Sequence, residues 1–299
     1  MDSHVVALPD GRKLDYALAG AEKGIPLVFL HGTPGSYIAN ADFKAACARK
    51  GIKLITFSRP GYGNSSRQRG RKVVDVVADI VALLEHLGLK ETLVAGYSGG
   101  GPHALACAAR LPGCLAVLSI ASPAPFGVEG LDWWEGLGKD NITEFAFALQ
   151  GEAPLAKFLA AERPGMLSAT PTQLVENMSS LLPETDSKVL LNNPSVGEEW
   201  VTTLAQALQH DVDGWLDDDL AFVDGDQSWG FALDEIKAPV LLWQGYEDKM
   251  VPLGQGKWLA ANLPADKVEA HLLEGYGHVS IFYQNLDVML DGLLVAAGQ

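Results

Sequence analysis

The sequence is poor in the residues that would place it in several large protein classes. It has only three cysteines, Cys47, Cys107 and Cys114, in 299 residues. They sit in apolar surroundings and have no Cys/His spacing for zinc, which excludes a disulfide framework and points to buried free thiols in a reducing cytoplasm. Basic residues are also scarce: 22 Lys and Arg face 37 Asp and Glu, for a net charge of −15. That deficit argues against nucleic acid as a partner and against an anionic membrane surface. No apolar run approaches the roughly 20 residues that cross a bilayer. The first residues, Met1 to Pro9, lack a basic segment leading into an apolar one, so a cytoplasmic protein with no membrane partner is expected. There is no internal repeat and no low-complexity tract.

What is present is an alternation. Stretches rich in apolar residues at 26–30, 52–57, 93–97, 115–120, 240–245 and 268–273 read as strands, with the uninterrupted run 26–30 of the kind buried on both faces of a parallel sheet. Helical periodicity lies between them, at 38–50, 73–87, 103–110, 253–262 and 281–297. A hairpin of 5–7 with 13–19 around Asp10-Gly11 precedes them. Short βα connections in this order predict an α/β fold with a mostly parallel, doubly wound sheet.

The alternation stops at residues 125–235. This stretch carries 21 acidic and four basic residues and five of the seven tryptophans. Helices are expected at 141–150, 154–162, 172–182 and 197–210, punctuated by Pro154, Pro164, Pro171, Pro183 and Pro194. We read 1–124 and 236–299 as a core and 125–235 as an inserted helical cap. The acidic character reads first as a solvated surface. The sharper alternative is that some carboxylates, with Glu129, Asp132, Glu135 and Glu144 as candidates, face a pocket and select a cationic group.

The chemistry centres on Gly96-Tyr97-Ser98-Gly99-Gly100, the Gly-x-Ser-x-Gly pattern between an apolar strand and a helix. A serine hydroxyl is a weak nucleophile and must be presented to a base. A sharp strand-to-helix turn presents it but crowds the positions two before and two after, where only glycine fits. The base and its orienting acid are supplied by His278 and Asp248, each placed just after a strand. Loops after parallel strands emerge at one sheet edge, so Ser98, Asp248 and His278 should converge. His31 and His103 read as structural.

His31-Gly32-Thr33-Pro34-Gly35, Arg59-Pro60-Gly61-Tyr62-Gly63-Asn64-Ser65, the Ser98 elbow, Gly245-Tyr246-Glu247-Asp248-Lys249-Met250-Val251-Pro252 and Gly277-His278 occur in this order. In this the chain resembles the α/β-hydrolase superfamily, and within it the cap-bearing esterases and prolyl-aminopeptidase-like members. The resemblance implies Ser98 as nucleophile, His278 as general acid/base, Asp248 as its orienting acid, and oxyanion-hole N–H groups at Thr33 and Gly99. It implies no metal and no organic cofactor. Ser58 stands where family members often carry an acid, and the elbow lacks the tryptophan of prolyl aminopeptidases. The function expected is hydrolysis of a small-molecule carboxylic ester through an acyl-enzyme. The alternatives are a prolyl-type aminopeptidase whose acidic cap holds the substrate amine, and a hydrolase-like ligand-binding receptor with little turnover.

Overall fold

The computed structural model of the protein describes residues 3–224 and 229–299. Met1, Asp2 and residues 225–228 of the acidic stretch lie outside them. The strands are β1 (Ser3–Ala7), β2 (Lys13–Gly20), β3 (Ile25–Leu30), β4 (Ile52–Phe57), β5 (Thr92–Tyr97), β6 (Cys114–Ile120), β7 (Val240–Gly245) and β8 (Val268–Leu273). They form one sheet in the order β1-β2-β4-β3-β5-β6-β7-β8. The hairpin β1–β2 joins antiparallel to β4, and β3 to β8 are parallel. This is the expected α/β fold with a mostly parallel sheet.

The apolar strands are continuous because both faces are covered. In β5, Val94 points into the layer holding Ile80 and Leu105, while Leu93, Ala95 and Tyr97 point into the layer holding Phe43 and Phe282. In β3, Val28 and Leu30 divide from Leu27 and Phe29 in the same way. The two-residue period of a strand then requires apolar side chains at every position. Helices α1 (Ala41–Arg49), α2 (Val76–His86) and α3 (Gly100–Arg110) precede β6. Six more helices separate β6 from β7 among the described residues: α4 (Lys139–Ala148), α5 (Glu152–Ser168), α6 (Pro171–Asn177), α7 (Glu184–Asn192), α8 (Pro194–Ala207) and α9 (Asp213–Val223). Then come α10 (Leu253–Asn262) and α11 (His278–Ala296).

The insertion departs from the sequence expectation in three places. Pro164 lies inside α5 rather than ending it. There, Arg163 donates to the Leu208 and Gln209 carbonyls at 2.7 and 2.9 Å, so tertiary contacts carry the helix past the breaker. Helix α6 stops at Asn177, short of the expected 182. Helices α7 and α9 were not expected, because buried aspartates interrupt the apolar stripe that would have revealed them.

Helix α11 also differs. It begins at His278, with Gly277 as its N-cap, where a loop was expected. By length and composition it could cross a membrane, with a mean hydropathy of 1.2 over its apolar window. In this fold it lays Val279, Ile281, Phe282, Leu286, Met289, Leu290 and Leu293 into the core.

One half-buried acid gives a stability prediction. Burial pushes the Glu199 carboxyl up to about 7, against a 2.6 Å hydrogen bond from Tyr283 Oη. A folded-state pKa above the unfolded 4.5 means that the native state holds the proton more tightly. Glu199 is therefore neutral for stability below 4.5 and unfavourable once the pH has risen through 7. Glu199→Gln should gain about 1–2 kcal/mol over the parent between mildly acidic and mildly basic buffer. Urea unfolding at both ends checks this, and a pH-independent difference would refute it.

Candidate active site

The chain runs from β4 and α2 to β5 across β3, so β3 lies between β4 and β5. Strand order reverses at that point, and the crevice opens beyond the carboxyl ends of β3 and β5. The loops that leave there carry Thr33 and Ser98.

Ser98 sits between the end of β5 and the start of α3 with φ +56°. That left-handed conformation is costly for a residue with a Cβ. It is held by Ser98 N–H donating to Ile120 O and Gly101 N–H donating to Ser98 O, both at 2.8 Å. A Cβ on Gly96 would fall 2.3 Å from Gly100 O, and one on Gly100 would fall 2.1 Å from Leu30 O. The two flanking glycines are thus required by contact distance.

The loop after β3 presses on the elbow. A Cβ on Gly99 would lie 2.2 Å from Thr33 Oγ1 and 3.2 Å from Thr33 N. Among the described residues, neither the Thr33 nor the Gly99 N–H donates a hydrogen bond. Two unused donors therefore lie side by side next to Ser98.

Asp248 and His278 meet on the same edge. His278 Nδ1 is 2.8 Å from Asp248 Oδ2, and both side chains are buried. The other oxygen, Oδ1, accepts from Met250 N–H and Val251 N–H at 2.8 Å each, and Gln244 Nε2 donates to Oδ2 at 3.1 Å. Bonds to both oxygens hold the carboxylate in place, and its Oδ2 fixes the imidazole with its Nδ1–H toward Asp248. Its neighbour Glu247 is exposed and accepts from Thr185 instead. Tyr97 Oη donates to His278 O at 3.2 Å, and the two rings lie 5.1 Å apart. Ser98 Oγ makes no hydrogen bond among the described residues.

Above this edge is a cavity of about 480 Å³. Thr33, Ser98 and Gly99 line it, with Trp133, Phe145, Phe158, Trp215 and Phe222 from the insertion. Its four charged lining residues, Asp140, Glu144, Glu162 and Asp219, are all acidic. Of the carboxylates singled out from the sequence, only Glu144 lines it; Glu129, Asp132 and Glu135 are exposed elsewhere. His278 and Asp248 are not part of its lining.

The family of the α/β-hydrolase fold matches residues 25–284. The chain belongs to that family. It is 26% identical over 277 residues to an uncharacterised hydrolase, YcgS, of Bacillus subtilis, covering 90% of this chain and 89% of the relative. It is 30% identical over 246 residues to a pimeloyl-[acyl-carrier protein] methyl ester esterase of Chromobacterium violaceum, covering 81% and 83%. A thermophilic esterase of Thermogutta terrifontis superposes with a TM-score of 0.68 at 17% identity over 100% of both chains. The protein is thus an α/β hydrolase.

Two residues of this hydrolase that the sequence reading missed hold the site's loops. Both are aspartates of the insertion, and both are fully buried, which corrects the picture of a uniformly solvated acidic surface. Asp218, on α9, accepts from Thr33 Oγ1 at 2.8 Å, Arg59 at 2.6 Å, Tyr62 Oη at 2.8 Å and Arg71 at 2.8 Å. Burial alone would raise its pKa, but Arg59 and Arg71 overcome that and hold it well below the usual carboxylate range. Arg59 also donates to the carbonyls of His31 and Gly32. Burial, and then Arg59, keep His31 well below the usual imidazole range, so it stays neutral. It shapes its loop through Arg59 N–H at 3.0 Å and Gly32 O at 2.7 Å.

Asp186, on α7, does the same for the other side of the site. Its Oδ2 accepts from His278 N–H at 2.7 Å, and its Oδ1 from Ser280 N–H and Oγ at 2.8 and 2.7 Å. It therefore caps the helix that begins with His278, where a carboxylate also meets the positive end of the helix dipole. The available signal was weak: Asp217-Asp218-Asp219 sits between apolar residues, and Arg59 and Arg71 are two of few cations near the site.

Proposed function

We propose that this α/β hydrolase cleaves a carboxylic ester through an acyl-enzyme formed on Ser98. The observation that carries the reading is the buried Asp248–His278 pair, 2.8 Å apart, on the sheet edge that presents the strained Ser98. With Nδ1–H directed at Asp248, Nε2 is the basic nitrogen. It takes the Ser98 proton as Oγ attacks the ester carbonyl. The oxyanion forms beside the free N–H groups of Thr33 and Gly99, aided by the N-terminus of α3. The C–O bond to the alcohol breaks, and the imidazolium gives the alcohol its proton. Water, deprotonated by His278, then releases the acid and Ser98. The long relative named as a methyl ester esterase agrees with an ester as the bond cleaved.

A second reading, an aminopeptidase, is favoured by one observation, the wholly acidic charge of the cavity lining. A series of nitrophenyl acyl esters assayed beside prolyl and alanyl anilides separates the two. Multiple turnover of the esters alone is the expected result. Anilide turnover would replace the ester reading, and tight binding with negligible steady-state rate would make the chain a receptor.

A further inference from the structure

Two carboxyl groups of the cavity lining face each other without a cation. Glu144 on α4 and Asp219 on α9 lie within hydrogen-bonding reach of one another. Trp215 Nε1 donates to Glu144 Oε1 at 2.8 Å. Glu144 Oε2 receives no such bond among the described residues. Asp219 is 1% exposed, and neither of its oxygens accepts from any N–H or O–H group among those residues. Among the described residues neither carboxylate forms an ion pair. Arg71, whose charge acts on Asp219, is committed to Asp218 at 2.8 Å. The other charged groups around the pair, Asp140, Glu162 and Asp218, are acidic too.

Leaving a buried acceptor without a donor costs about 1–3 kcal/mol, and more for a charged one. The pair has two ways to avoid that cost. One proton can be shared between the carboxyls, as in any close carboxylate pair. Burial, and then Glu144 itself, indeed raise Asp219 well above the usual range, and burial raises Glu144. Alternatively, a ligand can bring a positive charge with N–H donors and release that proton to solvent.

The surroundings favour the second for a bound ligand. The pair belongs to the same cavity as Ser98, not to a separate pore. Trp133, Phe145, Trp215 and Phe222 supply apolar walls for a carbon chain. We propose that Glu144 and Asp219 form a cation subsite that takes the protonated primary amine of a molecule bound against Ser98. A quaternary ammonium is the wrong ligand, because it has charge but no N–H for the empty lone pairs. This inference rests on reading the cavity as the substrate site of a serine hydrolase, and it narrows the substrate to an amine-bearing one.

The test is titration calorimetry with n-hexylamine, which is protonated at neutral pH, against hexan-1-ol and hexyltrimethylammonium. Wild type and the Ser98→Ala protein should bind the amine about ten- to hundredfold more tightly than the alcohol. The quaternary ion should resemble the alcohol. Glu144→Gln should abolish the preference and Asp219→Asn should reduce it; either folded variant suffices for the comparison. Equal affinities in wild type would overturn the subsite, as would a preference that survives both substitutions. The assay is independent of turnover. An amine preference without ester hydrolysis would remove the ester reading and leave the subsite. Ester hydrolysis without an amine preference would do the reverse.

Discussion

Ser98→Ala should lower ester turnover by about 10⁴-fold or more while the protein stays folded. Alanine keeps the Cβ that the elbow already accommodates and removes only the hydroxyl proposed to form the acyl-enzyme. His278→Ala should cost a similar factor, and the double variant little more, because the two act as one unit. The strain at this position supplies a second readout. Ser98 holds φ +56°, a region open to glycine at little cost. Ser98→Gly should therefore be as inactive as the alanine variant, yet more stable by about 1 kcal/mol. Steady-state kinetics and thermal melting of the two variants measure both effects. Near-wild-type turnover by Ser98→Ala would sink the mechanism. A glycine variant no more stable than the alanine one would show that the elbow strain is offset by its hydrogen bonds.

Asp218→Ala should cost about 3–5 kcal/mol of stability. The reason is what it leaves behind. Arg59 and Arg71 are both buried, and four donors converge on the one carboxylate. Removing it strands positive charge in a region that water does not reach. Asp218→Asn keeps the shape but not the charge, and should cost less. It is the better variant for function, since the amide leaves one acceptor oxygen and no charge for the four donors that converge there and so weakens the hold on Thr33. We expect kcat to fall at least tenfold with a smaller change in KM, because a misplaced oxyanion donor is felt in the transition state more than in substrate binding. Urea unfolding and ester kinetics of both variants test this. A stability loss below about 1 kcal/mol for Asp218→Ala would show that the two arginines find other acceptors. An unchanged kcat for Asp218→Asn would show that the loop keeps its position without the ion pair.

Which parts of this hydrolase can be read from its sequence follows from the range of the forces involved. The central strands of the parallel sheet are legible because burial on both faces demands apolar residues along their length, a demand each segment carries within itself, while the edge strand β8 is half exposed and carries Glu269 and His271. β4, β7, α10 and β8 fall where the pattern places them. The Ser98 elbow is legible because the clash avoided at Gly96 is local, with Gly100 four residues on, although the one avoided at Gly100 is with Leu30 O of the neighbouring strand. The meeting of Asp248 with His278 is legible from topology alone, since parallel strands deliver their following loops to one edge.

The insertion is different. An aspartate in a surface helix and one that anchors a loop of the candidate site look alike in sequence. Asp218 meets Thr33 across 185 residues, and Asp186 meets the His278 N–H across 92. Whether such a carboxylate is solvated, paired with a buried arginine, or left facing a cavity depends on which helices pack on which loops. The sequence by itself determined the sheet, the elbow and the order of Ser98, Asp248 and His278, because sterics and strand burial act within short segments. Only the tertiary structure decided which acids of the insertion are buried and which line the cavity, because desolvation is a property of the assembled packing.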